Sequence, residues 1–207
     1  MYSIKTLSMI ISGILLGLST LLFLGPVLFY LLRSSMESGF RAGVAVASGI
    51  ILGDIICVIL VLYGGKYIIE NEASQIWVAL FAGILVLSIG LKYILKPDLN
   101  TEKKMKASRK SLLLYFTNGF LVNFVNPFVL PVWLGFVAYN QAKYDETETL
   151  ISLTITLAII FSTDLLKAFY AHKVIGLIRP ARLRIIFRVF GVIMVLFAIR
   201  LLIYALF

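Results

Sequence analysis

The sequence is poor in the side chains that most enzymes and metal sites use. It has one cysteine, Cys57, and one histidine, His172, far apart along the chain. A single cysteine excludes an internal disulfide, paired-thiol redox chemistry and a cysteine-rich metal site. The chain also lacks an H-E-x-x-H motif and a Ser-His pair that could form a hydrolytic centre. We therefore predict that the chain is not an enzyme and uses no metal or other cofactor.

Acidic residues are scarce as well, whereas apolar residues are abundant. Only 10 of the 207 residues are Asp or Glu, 61% are hydrophobic, and the mean hydropathy is +1.02. A soluble domain needs more polar surface than this composition can supply. Long apolar segments recur from end to end and predict an all-α polytopic membrane protein in the lipid bilayer. The six predicted transmembrane helices cover about residues 6–32, 42–63, 75–95, 111–139, 149–171 and 185–206.

The basic residues lie mainly in the short segments between the predicted helices. In a soluble protein a net charge of +9 would suggest a nucleic-acid partner, but here it indicates topology, and we expect no nucleic acid. The odd-numbered loops and their flanks hold fourteen basic residues, and the opposite side holds four. The positive-inside bias places the odd loops in the cytoplasm and both termini outside it.

A polar, basic segment divides the chain into two halves. It covers residues 97–110 and is predicted to be a cytoplasmic linker between repeat one, about 1–96, and repeat two, about 111–207. Because each half has three spans, the second half must enter the membrane in the reverse sense. The prediction is therefore a single transmembrane transporter domain built from two inverted three-helix repeats.

Corresponding features recur in the two halves. Each half begins with a span that a glycine or asparagine followed by proline interrupts, at Gly25-Pro26 and at Asn126-Pro127. Each has an aspartate inside its middle span, Asp54 or Asp164. Interruptions at corresponding positions of two repeats indicate a binding site.

An ionisable side chain inside a membrane helix is rare and is usually functional. In one interpretation, a neighbouring helix satisfies the hydrogen bonds of the Asp54 carboxyl group, which then serves packing only. In the other, Asp54 carries a proton or pairs with a substrate ammonium group. Asp164 and Lys167 are three residues apart and can pair on one helix face. That pair is either structural, or breakable by a zwitterionic substrate whose carboxylate would bind Lys167.

Amides and small residues surround these charges in the sequence. Asn123 and Asn126 lie three residues apart, and with Pro127 they are predicted to line a substrate path or to join helices. The pairs Gly39/Gly43 and Gly49/Gly53 are expected to let helices approach closely, within or between protomers, so a homodimer is possible. Of the two tryptophans, Trp77 is predicted to be an interfacial anchor and Trp133 a buried aromatic.

Two segments resemble the signatures of the LysE/RhtB superfamily of amino-acid exporters. The segment GPVLFYLLRSSMESGFRAGVAVASGIILGD, residues 25–54, is similar to the first signature, and GFLVNFVNP, residues 119–127, to the second. The resemblance implies export of amino acids or similar small metabolites across the bacterial inner membrane, driven by a proton or ion gradient. By position it carries Gly25, Pro26, Gly53, Asp54, Asn126 and Pro127. Many members have lysine where this chain has Phe128, so a basic group near the site is either missing or supplied by Lys167.

The leading prediction is therefore a proton-coupled exporter of amino acids or related zwitterions. The alternatives are an exporter of a metal or other cation, and a membrane subunit that does not transport. One cysteine and one distant histidine give little support to a soft-metal site.

Overall fold

A computed structural model describes residues 2–22, 25–64, 72–95, 109–126, 128–171, 173 and 180–206, and no strand occurs among them. The protein is an all-helical membrane protein, as predicted. The helices are α1 (Tyr2–Ser19), α2 (Pro26–Ser38), α3 (Phe40–Ile59), α4 (Glu72–Leu95), α5 (Arg109–Phe124), α6 (Val129–Gln141), α7 (Glu146–Phe169) and α8 (Pro180–Leu206). A 3-10 turn, Thr20–Leu22, follows α1, and a π-helical turn, Leu60–Gly64, follows α3.

Four helical segments are long and apolar enough to cross a membrane, and a bent pair of helices can supply a fifth span. The four segments are Phe40–Gly64, Gln75–Leu95, Glu146–Phe169 and Arg188–Leu206. The apolar part of α1 is shorter, Lys5–Ser19. The predicted middle and last spans of each half therefore correspond to single helices, whereas the first span of each half is broken.

The first predicted span, 6–32, is two separate helices, and the loop predicted at 33–41 is mostly helical. Pro26 is the first residue of α2, where its missing N–H is not needed, and Gly25 precedes it in an extended conformation. The helix continues to Ser38 because Arg33 and Glu37 form an i,i+4 ion pair of 2.7 Å and Ser35 Oγ donates to the carbonyl of Leu31. The polar sequence that indicated a loop is thus a helix with internal partners.

Only one residue, Gly39, separates α2 from α3. Its φ of +87° is the one positive φ found within the described ranges. An L side chain rarely adopts this conformation, which explains the glycine. A Cβ here would have no neighbour within 4 Å. Gly39 therefore serves the turn, and the expectation that it allows close helix packing is wrong.

The second interruption lies where it was predicted. Helix α5 ends at Phe124, α6 begins at Val129, and the two are bent by 69°. At the break, the backbone N–H of Asn126 donates to the carbonyl of Asn123, and that of Val129 donates to the carbonyl of Asn126. Pro127 lies outside the described residues.

Six of the helices form one compact unit, residues 1–61 and 104–175. Within it α1 packs on α7 and α5 packs on α3, while α2 contacts α3 and α7, and α6 contacts α7 and α3. The core joins side chains of α2, α3, α5 and α7, among them Leu31, Val46, Ile50 and Ala168. This unit contains both predicted intramembrane acids.

The second compact unit, residues 62–103 and 176–207, is built on the pairing of α4 with α8. Gly90 and Gly191 lie against each other, since a Cβ on Gly90 would come within 3.0 Å of the carbonyl oxygen of Gly191. Trp77 is 70% exposed on α4, and its role as an interfacial anchor stays a prediction.

Candidate functional site

Asp54 is buried on α3 and is held by two uncharged donors. Its Oδ1 accepts hydrogen bonds from Asn123 Nδ2 and from Trp133 Nε1, both at 2.9 Å. The three side chains are each no more than 5% exposed. The carboxyl group is therefore fixed by hydrogen bonds from α5 and α6, and neither donor can neutralise its charge.

Glycines on α3 allow this arrangement. A Cβ on Gly53 would lie 3.0 Å from Asn123 Nδ2, and one on Gly49 would collide with the backbone of Phe116 and Phe120. The backbones of α3 and α5 therefore meet without intervening side chains, and the amide of Asn123 also reaches the carbonyl of Ile50 at 3.0 Å. The expectation that Gly49 and Gly53 permit close helix approach is met.

Asp164 has a different partner. Lys167 Nζ lies 2.8 Å from Asp164 Oδ1, one helical turn further along α7. The side chain of Asp164 is 9% exposed and that of Lys167 is 19% exposed. The pairing expected from their spacing is present, and it places a charged cation beside this acid.

The two aspartates belong to the same compact unit. Their helices, α3 and α7, are in contact. Two helices whose acids are 110 positions apart in the chain therefore pack together. The structure brings together Asp54, Asn123, Asp164 and Lys167 in one unit.

The remaining predicted residues belong to the breaks. Asn126 Oδ1 accepts from the backbone N–H of Phe128 at 3.2 Å, so this amide stabilises the interruption between α5 and α6. Gly25 and Pro26 form the start of α2, with the N–H of Phe29 donating to the carbonyl of Gly25 at 3.1 Å. These residues shape the helices that carry the site.

Trp133 was predicted only as a buried aromatic, yet it contacts the central carboxylate. The indole N–H is a donor without an acceptor function, so a buried tryptophan requires an acceptor nearby. In an apolar segment such as VLPVWLGFV the acceptors are few, and a carboxylate on another helix is one of them. That requirement is the signal in the sequence that could have linked Trp133 to Asp54.

Metal ligands do not gather in the part of the chain that the structure describes. There, the His, Cys, Asp and Glu residues form no group of three or more that could hold a metal ion. Cys57 is buried and has a free thiol. The chemistry of the site is thus that of two carboxylates, one ammonium group and neutral hydrogen-bond donors.

Broken helices and buried acids in an all-helical membrane chain define a membrane transport protein. The chain belongs to the LysE type translocator family, whose family model matches residues 18–205. It is also similar to an uncharacterized membrane protein of Synechocystis sp., with 30% identity over 167 residues, covering 78% of this chain and 79% of that protein. No solved structure matches the chain.

Proposed function

We propose that the protein is a proton-coupled exporter of amino acids or related zwitterionic metabolites in the bacterial inner membrane. The observation that carries this proposal is the pair of buried aspartates with unlike partners, Asp54 held by neutral donors and Asp164 paired with Lys167. Such a pair can bind one proton and one zwitterion. Because burial disfavours a charged carboxylate, each aspartate is stabilised by a proton or a cation that neutralises it.

In this proposal the proton belongs to Asp54. Asn123 and Trp133 donate to its carboxylate but carry no charge, so a proton is the simplest group that can neutralise it. The hydrogen bonds hold the carboxyl group in place in both protonation states. The solute binds on the other side, where its ammonium group displaces Lys167 from Asp164 and its carboxylate pairs with Lys167.

We further propose that the two halves are inverted repeats. The packing supports this, because several contacts correspond when the halves are exchanged: α1 on α7 corresponds to α5 on α3, and α2 on α3 corresponds to α6 on α7. The contacts of α2 with α7 and of α6 with α3 also correspond. Rocking of such repeats around a shared site is how many secondary transporters alternate access.

Glycine contacts support the same correspondence at the level of residues. A Cβ on Gly17 of α1 would lie 3.0 Å from the carbonyl oxygen of Thr156, eight residues before Asp164. A Cβ on Gly119 of α5 would lie 2.5 Å from the carbonyl oxygen of Val46, eight residues before Asp54. The helix before each break therefore uses a glycine at the equivalent point of the helix that carries the acid.

The orientation stays as predicted from the charges, with both termini outside the cytoplasm. The turn between α6 and α7, at residues 142–145, would then lie on the outer face. It carries Asp145, which caps α7: its Oδ1 accepts a hydrogen bond from the backbone N–H of Glu148 at 2.9 Å.

The test is efflux from proteoliposomes loaded with individual amino acids, with and without an imposed pH gradient. We expect at least one amino acid to leave faster with the gradient. Asp54→Asn should reduce this efflux to that of liposomes without protein, because the amide cannot carry the proton. Asp145→Asn is the matched control, since asparagine also caps helices and the group is exposed.

Normal gradient-driven efflux by Asp54→Asn would rule out the proton role. If no amino acid moves in the wild-type protein, the solute class is wrong. A panel of metal cations in the same vesicles then addresses the alternative cargo.

A further inference from the structure

Three buried polar atoms near the turn between α6 and α7 have no hydrogen-bond partner. They are Asn140 Oδ1, Thr149 Oγ1 and Ser152 Oγ, on side chains that are at most 2% exposed. Buried polar atoms almost always have partners, and the requirement is strongest inside a membrane protein. These three atoms are therefore candidates for binding a ligand transiently.

All three unpaired atoms are side-chain oxygens of the hairpin that α6 and α7 form. Thr149 and Ser152 are three residues apart on α7 and share a helix face. Asn140 lies in the last turn of α6, and its carbonyl accepts from the N–H of Tyr144 at 2.9 Å. Its Nδ2 donates to the carbonyl of Phe136 at 2.8 Å, so the amide oxygen is the free atom.

Helix α1 covers this part of α7 through a close backbone approach and a few polar side-chain contacts. A Cβ on Gly13 would lie 2.7 Å from the carbonyl oxygen of Ser152. The hydroxyl of Tyr144 is 3.1 Å from Ser8 Oγ and 2.9 Å from Ser12 Oγ. In the first turn of α1, Lys5 Nζ lies 2.8 Å from Glu148 Oε2.

The same face of α7 continues to Asp164. Thr156 and Thr163 are buried between Ser152 and Asp164, and at about 1.5 Å per residue this polar face is about 18 Å long. Thr156 Oγ1 donates to the carbonyls of Ser152 and Gly13. A solute that leaves Asp164 along this face would reach the three free oxygens.

We propose that Asn140, Thr149 and Ser152 form a second solute site, which binds an ammonium group through three neutral oxygens and is closed by α1. An ammonium group has three donors and so matches three oxygen acceptors. Without a carboxylate the site holds the group more weakly than Asp164 does, as release from an exporter requires. The proposal rests on the proposed function, because it assigns this site to the path of the same zwitterion.

Thiol labelling tests the site without knowledge of the solute. The natural thiol is removed by Cys57→Ala, and Ser152→Cys is introduced in purified protein in lipid nanodiscs, where both faces are accessible. The probes are two methanethiosulfonates, one with a primary ammonium group, which has three N–H donors, and one with a sulfonate. The measurement is the ratio of the labelling rate with the cationic reagent to that with the anionic reagent. We expect this ratio to be several-fold higher for Ser152→Cys than for Ala142→Cys, which is at an exposed position in the turn.

Two further variants link the labelling to α1 and to the helix face. Tyr144→Phe removes the hydroxyl that contacts α1, and it should increase the labelling rate of Ser152→Cys several-fold. Thr154→Cys lies on the exposed face of α7, where its native hydroxyl donates only to the carbonyl of Leu150 in the same helix, and it should react with neither reagent. Thr149→Cys is the second reporter if Ser152→Cys does not fold.

The proposal is wrong if both reporters stay unlabelled even with Tyr144→Phe, or if their reagent preference equals that of Ala142→Cys. Because labelling needs no transport, the two proposals can fail separately. A cation preference in a protein that exports no amino acid leaves the site standing and removes the proposed function. Amino-acid efflux with unlabelled reporters does the reverse.

Discussion

The two buried aspartates lie on helices that we propose to correspond, but their surroundings are unlike. Asp54 on α3 accepts from two neutral donors, whereas Asp164 on α7 forms an ion pair with Lys167. Both side chains are buried to a similar degree. Burial alone therefore does not decide what each acid does, and the partner of each carboxylate sets its chemistry.

Under the proposed correspondence, the difference suggests that the two aspartates have different roles. A carboxylate with neutral donors responds to protons, since its hydrogen-bond partners carry no charge that would offset its own. A carboxylate with a lysine responds to solutes that can exchange with the lysine. The predictions below test this division, from the largest expected effect to the smallest.

The sharpest contrast is expected between Asp54→Asn and Asp164→Asn in amino-acid exchange. Exchange of labelled for unlabelled solute needs binding but no net proton movement, so Asp54→Asn should keep it while losing net efflux. Asp164→Asn should lose both activities, because it removes the group that binds the solute ammonium. Both are measured in proteoliposomes with solute on the two sides, and equal behaviour of the variants would remove the division.

The ion pair should matter more for stability than the neutral bonds do. Lys167→Met leaves Asp164 buried without a cation, and we expect a loss of about 3–5 kcal/mol in the free energy of unfolding. The double variant Asp164→Asn/Lys167→Met should recover most of that loss without transporting. Chemical unfolding in detergent measures both, and a fully stable Lys167→Met would show that Asp164 needs no cation.

Trp133→Phe tests the neutral side of the comparison. It removes one hydrogen bond to Asp54, and such bonds to charged groups contribute about 1.5–3 kcal/mol. We expect lower stability by that amount and slower net efflux, with exchange retained as in Asp54→Asn. Trp77→Phe is the matched control, because Trp77 is mostly exposed. A Trp133→Phe protein with unchanged efflux would make the indole a packing group.

The glycines that face each acid-bearing helix should have the smallest and most similar effects. Gly17→Ala and Gly119→Ala each force a Cβ against a backbone carbonyl, which we expect to cost about 1–3 kcal/mol. Gly135→Ala is the control, since nothing lies within 4 Å of its Cβ position. Unfolding midpoints are the measurement, and a loss in only one of the two halves would contradict their correspondence.

The sequence predicted those features that depend on composition along one segment. Apolar runs located the helices that span the membrane, and proline located both breaks, because proline cannot complete a helical hydrogen bond. The Asp164–Lys167 pair followed from a spacing of three residues on one helix. In each case the decisive interaction is local.

Features that depend on contacts between distant residues were not predicted. The hydrogen bond from Trp133 to Asp54 joins residues 79 positions apart, and no spacing rule applies at that separation. The second half of α2, residues 33–38, was predicted to be part of a loop because it is polar and basic, yet Ser34 and Ser35 are buried. Hydropathy averages cannot distinguish a polar residue that meets water from one that meets another helix.

The one-residue connection at Gly39 restricts how the acid-bearing helix can move. Across two peptide steps the Cα atoms of Ser38 and Phe40 can be at most about 7 Å apart, so α2 and α3 cannot slide past each other by a helical turn. Rotation about the backbone dihedral angles of Gly39 is the freedom that remains, and it would move Asp54 together with the rest of α3. The four residues at 142–145 give α6 and α7 a longer tether. If the two halves correspond as proposed, the helix that carries Asp54 is therefore less free to shift along its neighbour than the helix that carries Asp164.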